Sequence, residues 1–333
     1  MKQLCIVKRM FVIMFFSYLN LTSCSSEQVN IDDKKFGDTI SLTSKNVENN
    51  ILCNPEDLNT IDDSHIIIKN SGRKAPIFMV FNVKDWSLTS EFGQLGSAKS
   101  EYIMPKIVKG YSNSIEIYDV HHNNITDVKS NKQVDFEKSN DAMIQDIYNS
   151  GSFYLYENFS KQNGGTIEKV ENNKLSEFYR FPDLRERFAD PFSYKGSIGI
   201  NPKTCDVVYA YQYFRRFDIL DKNGDVIKIC KSSDSEITNL DNSTLDEDNS
   251  RIYYWGVSTT ENSIFLTYIG LIPNEISEKS ATYIEEYDWR GNPKHKYKLD
   301  GIFSHITYLN NSFVCVSPFL ESPFVVYEIE KGK

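Results

Sequence analysis

Short apolar runs of period two, separated by turn residues, recur along nearly the whole chain, and this recurrence narrows the folds open to it. The clearest copy runs from Thr282 to Leu299, where two strands flank Arg290-Gly291-Asn292-Pro293. Lys294, Lys296 and Lys298 alternate there with His295, Tyr297 and Leu299. Alternation places the two sets on opposite faces of a strand, and Gly with Pro sets the reversal. The three lysines read as the wet face of an edge strand, where charge discourages pairing with another chain. Helical periodicity is scarce; Pro182 to Phe188 allows one turn.

From Glu56 onward a four-strand unit can be drawn six times. Its first turn is short and polar in every copy, as in Asp62-Asp63-Ser64, Asn201-Pro202-Lys203 and Asn310-Asn311. Its last turn recurs at Lys84-Asp85, Ser130-Asn131, Asn172-Asn173, Asn223-Gly224, Gly291-Asn292 and Lys331-Gly332. Most of these intervals are about 40–50 residues, which with four strands per unit is the signature of propeller blades. The fold class expected is all-β: a six-bladed β-propeller of four-stranded antiparallel blades, one domain over residues 37–333. The last unit has only three strands, and an unfinished blade exposes an adhesive edge. Gly37–Thr43 is the spare strand, expected to pair with Phe324–Ile329 and close the ring.

The first 23 residues read as an export signal. Lys2, Lys8 and Arg9 precede the mostly apolar run Met10 to Leu21, which is too short to span a bilayer as a helix. Leu21-Thr22-Ser23-Cys24 resembles the lipobox of bacterial lipoproteins. The resemblance implies that Cys24 becomes the lipidated N-terminus, and Ser25, where an Asp would direct inner-membrane retention, favours the outer membrane. The expected location is the cell envelope, lipid-anchored to the outer membrane and facing the periplasm or the surface. Residues 24–36 are polar and lack periodicity, and read as a flexible tether.

Removing Lys2, Lys8 and Arg9 with the leader leaves 34 Lys and Arg against 46 Asp and Glu, a net charge of −12. So acidic a chain has no global attraction for phosphate backbones, and nucleic acid is not expected as a partner. Cys53, Cys205, Cys230 and Cys315 allow three disulfide pairings or none. Cys205 and Cys230 fall two strands apart in one blade, roughly 9–10 Å at the usual strand spacing and beyond disulfide reach. Free thiols are the preferred reading.

Gly93-Gln94-Leu95-Gly96 followed by Glu101-Tyr102-Ile103-Met104-Pro105 is similar to a signature of the TolB-like six-bladed propellers of bacterial lipoproteins, themselves similar to NHL-type propellers. Ser97 stands where that family often has Pro, and the spacing before Glu101 is longer. The resemblance implies the fold and an envelope location; it carries no catalytic residues.

In a propeller the connections between strands two and three, and from strand four to the next blade, open on one face. Here the long connections all fall in that set, among them Gly93–Pro105, Phe181–Gly196 and Lys231–Arg251. Loops on a rigid scaffold carry function more often than the scaffold itself. Candidate ligand-binding residues on this face are Arg73, Tyr102, His122, Arg185, Arg187, Trp255 and His305. The arginines suit a carboxylate or phosphate, or salt bridges within an acidic protein. Tyr102 and Trp255 suit stacking on a sugar or peptide, or packing between blades. His121-His122 makes a poor metal pair, because adjacent strand residues point apart, and the acidic stretch Asp241 to Ser250 fails the EF-hand pattern at Arg251 and Val257. Neither a metal nor a cofactor is expected. The function expected is non-catalytic binding of a glycan, peptide or protein partner. The alternative is a metal-dependent, lactonase-like hydrolase or lyase at the channel mouth, for which the inner strands offer Asp146 and His305 and little else.

Overall fold

The computed structural model describes residues 27–329 apart from 48–53, 73–75, 99, 111–113, 141, 143, 160–164, 183–190, 233–245 and 318–323. Cys24, Cys53, Arg73, Arg185 and Arg187 therefore lie outside the described residues.

Tight turns set the architecture. Asn172-Asn173 and Asn310-Asn311 all take positive φ, the geometry of two-residue hairpin turns whose twist matches that of the strands. At Gly291 the side chain of Asp288 accepts the backbone N–H groups of Arg290 and Asn292 at 2.9 and 2.8 Å. Asp221 does the same for Asn223 and Asp225. Asn and Asp suit such turns because their short polar side chains satisfy backbone donors locally.

These turns join six sheets. Blade 1 comprises Pro55–Thr60, His65–Asn70, Phe78–Asn82 and Leu88–Phe92, and blade 2 Pro105–Ile107, Glu116–Asp119, Asn124–Asp127 and Lys132–Asp135. Blade 3 has Ile147–Asn149, Tyr154–Asn158, Thr166–Glu171 and Lys174–Arg180; blade 4 has Gly196–Ile200, Val207–Tyr211, Arg216–Leu220 and Val226–Lys231. Blade 5 is Ile252–Thr259, Ile264–Leu271, Thr282–Tyr287 and Pro293–Leu299, and blade 6 begins with His305–Leu309, Ser312–Val316 and Phe324–Glu328. The first strands of successive blades meet round the ring, except that blade 2 reaches blade 3 through Lys109–Gly110. The chain is a six-bladed β-propeller, and its core is the apolar filling between neighbouring blades. Val208, Phe217 and Ile219 of blade 4 pack on Tyr254, Leu266 and Tyr287 of blade 5. Ile66, Ile68 and Phe81 of blade 1 meet Val314, Val316 and Phe324 of blade 6 in the same way.

The N-terminal segment closes the final blade, as the unfinished sixth unit requires, but a few residues later than expected. Ser44–Asn46 is the strand that pairs antiparallel with Phe324–Glu328, Ser44 opposite Tyr327. Within 37–43, Ile40–Ser41 instead runs parallel beside Pro293–Leu299 of blade 5. Upstream, Glu27–Asn30 runs parallel beside Val226–Lys231 of blade 4, and Asp33–Phe36 forms one turn of 3₁₀ helix with Phe36 buried. Residues 27–36 are thus not a free tether. The segment adds a strand to the outer edges of blades 4, 5 and 6 in succession.

That strap also changes the reading of the lysine strand. Lys296 is not solvated: its Nζ lies 2.9 Å from Asp33 Oδ1 and 3.1 Å from Glu285 Oε1. Arg215 reaches the same two carboxylates at 2.5 and 2.7 Å. Tyr287 and Tyr254 donate to the other oxygen of Glu285, which is fully buried. A buried carboxylate is tolerated because two cations and two hydroxyls satisfy it.

Candidate functional site

The inner strands enclose a central cavity of about 850 Å³, a size that suits a small ligand. Chemistry gathers where those strands begin, at the face that carries the long connections. Asp57 comes from blade 1, Asp146 and Lys195 immediately precede the inner strands of blades 3 and 4, Trp255 lies in that of blade 5, and His305 opens that of blade 6. Lys109 completes the set. It belongs to Lys109–Gly110, a two-residue strand that leaves blade 2 and runs parallel to Ile147–Asn149 of blade 3. The sequence reads Ile107 to Tyr111 as one strand; the chain instead changes blades after Ile107.

Lys109 Nζ stands between two carboxylates, 2.9 Å from Asp146 Oδ2 and 3.7 Å from Asp57 Oδ1. Burial works against its charge, but the two aspartates hold the ammonium well above the ordinary lysine pKa. Burial likewise opposes the charge on Asp146, yet the Lys109 ammonium keeps that carboxyl below its usual range. His305 Nε2 lies 3.9 Å from Asp57 Oδ1, and its Nδ1 is 3.2 Å from Ser304 Oγ. Burial lowers the imidazole pKa despite the nearby carboxylate of Asp57, so His305 is neutral at pH 7. Trp255 donates from Nε1 to the Ser304 carbonyl at 3.1 Å, and the residue is 42% exposed. An exposed indole fixed at its polar end is a preformed stacking surface.

Behind this wall, between blades 3 and 4, lies the buried Glu157. Burial pushes its carboxyl up to about 7.

Of the candidates named from sequence, Trp255 and His305 are brought together through Ser304, and Asp146 joins them across the mouth. Tyr102 turns inward and packs edge-on against Phe78, with ring centroids 5.8 Å apart. His122 caps a turn, its Nδ1 3.1 Å from Asp119 Oδ2. Asp119 also accepts the backbone N–H of Ile103 at 2.8 Å, which anchors the Gly93–Pro105 crossover. Glu101 of the same crossover accepts from Gln94 and from the Ala98 backbone N–H, so the residues of the TolB-like signature serve the loop's own structure. Among the described residues no three His, Cys, Asp or Glu converge as a metal site; the position between Asp57 and Asp146 is taken by an ammonium. Cys205, Cys230 and Cys315 are free thiols, the last two buried. Asp57, Lys109 and Lys195 escaped the sequence reading. The one available signal was the Lys-Gly pair directly after an apolar run, where a glycine permits the change of blade.

No protein-family model and no curated protein matches the chain. Solved structures do. A protein from Bacteroides fragilis described as a candidate exported protein is 12% identical, with a TM-score of 0.56 over 92% of this chain and 99% of that one. A member of the DUF4221 family from Bacteroides vulgatus is 9% identical, with a TM-score of 0.56 over 91% and 95%. Regucalcin, a calcium-binding protein from Agrobacterium tumefaciens, is 9% identical, with a TM-score of 0.50 over 87% and 94%. At these identities the likeness is one of fold. Among the described residues no helix is long and apolar enough to cross a membrane.

Proposed function

We propose that the chain is a non-catalytic envelope lipoprotein that binds a ligand in the mouth of its central channel. The supporting observation is the convergence there of Asp57, Lys109, Asp146, Lys195, Trp255 and His305 at one end of a cavity of about 850 Å³. Lys109, kept charged by its two aspartates, serves as a hydrogen-bond donor and not as a nucleophile or base. The mouth therefore offers fixed donors, acceptors and one flat apolar surface, which is the composition of a recognition site. Lipidation at Cys24 would tether the propeller to the outer membrane, in keeping with the TolB-like resemblance of its first crossover.

The test uses the chain from Ser25, screened against saccharides, peptides and envelope proteins with tryptophan fluorescence as readout. Trp86 and Trp289 belong to the core clusters, so ligand entry is reported by Trp255. A saturable change whose affinity, checked by calorimetry, falls in Trp255→Ala and Asp146→Asn supports the reading; ligands that bind both variants as well as the parent by calorimetry place the site elsewhere and overturn it. Anchoring is tested separately: an alkyne fatty acid should label the full chain and not Cys24→Ala.

A further inference from the structure

The channel mouth carries a charge pattern that selects among ligand classes. Asp57 and Asp146 both face Lys109, Lys195 lines the cavity, Lys106 donates from Nζ to the Gln145 carbonyl beside Asp146, and burial favours the neutral form of His305. Just outside the ring, Glu56 pairs with Lys69, 2.5 Å away. A strongly anionic or cationic ligand entering this mouth meets groups of its own sign beside those of the opposite sign, Asp57 and Asp146 among Lys106, Lys109 and Lys195. It would also have to break the Lys109–Asp146 contact, leaving one partner desolvated and unpaired. A neutral ligand rich in hydroxyls pays neither penalty. Each carboxylate oxygen retains lone pairs able to accept from a hydroxyl, and Lys109 and Lys195 each carry three donors. His305 Nε2, 3.9 Å from the nearest carboxylate oxygen, is free to exchange a hydrogen bond with a ligand.

Trp255 adds the second, independent part of the pattern. It is exposed at the cavity while its Nε1–H is already committed to the Ser304 carbonyl. It therefore offers a face and no spare donor, which suits the C–H face of a pyranose whose hydroxyls point outward to the ring of Asp and Lys groups. From this juxtaposition we infer that the mouth binds a neutral saccharide, one sugar ring resting on Trp255 with its hydroxyls shared between Asp146, Lys109 and Lys195. This rests on the mouth being a binding site, and it names the class of ligand that the site takes.

The test is a titration of the chain from Ser25 with three probe sets: neutral hexasaccharides (gluco-, manno-, xylo- and chito-oligomers), oligogalacturonate with a sulfated disaccharide, and a random hexapeptide library. Fluorescence and calorimetry are read together at 50 and 500 mM NaCl. The expected result is saturable binding of at least one neutral hexasaccharide, with an affinity that changes less than twofold between the two salt concentrations. Trp255→Ala should weaken it at least tenfold. Asp146→Asn, which keeps the side-chain shape, should also weaken it, with circular dichroism unchanged from the parent. Binding of the acidic saccharides or of peptides, lost in Trp255→Ala and falling steeply with salt, overturns the saccharide inference and leaves the mouth as a binding site. No Trp255-dependent binding from any of the three sets overturns both.

Discussion

Tyr209 places its hydroxyl 2.6 Å from Glu157 Oε1 and also 2.6 Å from the carbonyl oxygen of Tyr194. One hydroxyl has one proton, so it cannot donate to both. A protonated Glu157 resolves the conflict: the carboxylic acid donates to Tyr209, and Tyr209 donates to Tyr194. The proton count thus agrees with burial, which pushes the Glu157 carboxyl from 4.5 up to about 7.

This pair predicts a pH dependence of stability. Below pH 4.5 Glu157 is protonated in both the folded and the unfolded state. Between 4.5 and about 7 only the folded chain keeps the proton, so stability falls as pH rises through that window. The loss is about 3 kcal/mol at most, from the size of the shift. Glu157→Gln keeps the shape and cannot ionise. Its urea midpoint should exceed that of the parent at pH 8 and match it near pH 5; a parent–variant difference that does not vary with pH would show that Glu157 ionises normally.

Gly110 makes the change of blade possible. Its φ is +111°, and a Cβ there would lie 2.2 Å from the Asn149 carbonyl oxygen. Gly110→Ala therefore meets both backbone strain and a backbone clash that no rotamer relieves, and should cost about 2 kcal/mol or more. Because Lys109 is the neighbouring residue, the same substitution should also weaken any ligand held at the channel mouth. Chemical denaturation and the binding titration check the two effects separately.

Most of the ring was legible in the sequence because blade strands alternate and their turns carry Asn, Asp and Gly, as at Asn172-Asn173 and Asp288 to Asn292. The strap was not. Glu27–Asn30 is a short parallel edge strand that buries little of its own and leaves no period-two trace, while Ile40–Ser41 lies in a stretch legible as a strand but pairs with blade 5 instead of blade 6. Two buried residues, Ile31 and Phe36, are too sparse a signal to distinguish docked chain from tether. The site divides in the same way. Trp255 and His305 stand out as residue types, whereas Asp57 and Lys109 look like ordinary surface charges until the ring brings them together.

Closure by Ser44–Asn46 makes a sharp distinction between two truncations. A chain beginning at Ser44 loses the strap but keeps the pairing with Phe324–Glu328 and the buried Val47. It should unfold in one cooperative step at a lower temperature than the parent. A chain beginning at residue 48 exposes the edge of Phe324–Glu328 and should self-associate or lose cooperativity. Sedimentation and calorimetry read the outcome; equal behaviour of the two truncations would move the closure upstream of Ser44.

The strap's ionic cluster separates a buried charge from an exposed one. Glu285 is fully buried and holds Arg215, Lys296, Tyr254 and Tyr287. Glu285→Ala leaves two cations facing each other with only Asp33 between them, and should destabilise the fold by about 3–5 kcal/mol. Asp33 is half-exposed, so Asp33→Asn should have a far smaller effect at neutral pH. Its signature lies at acid pH. The hydrogen bond from Arg215 holds the Asp33 carboxyl well below its ordinary value of 3.8, so its contribution is complete above pH 3.8 and is lost as pH falls below it. Asp33→Asn should therefore track the parent more closely at pH 3 than at pH 6 in urea unfolding. A Glu285→Ala loss no larger than that of Asp33→Asn at pH 6 would mean that the strap, and not the buried carboxylate, holds Arg215 and Lys296 in place.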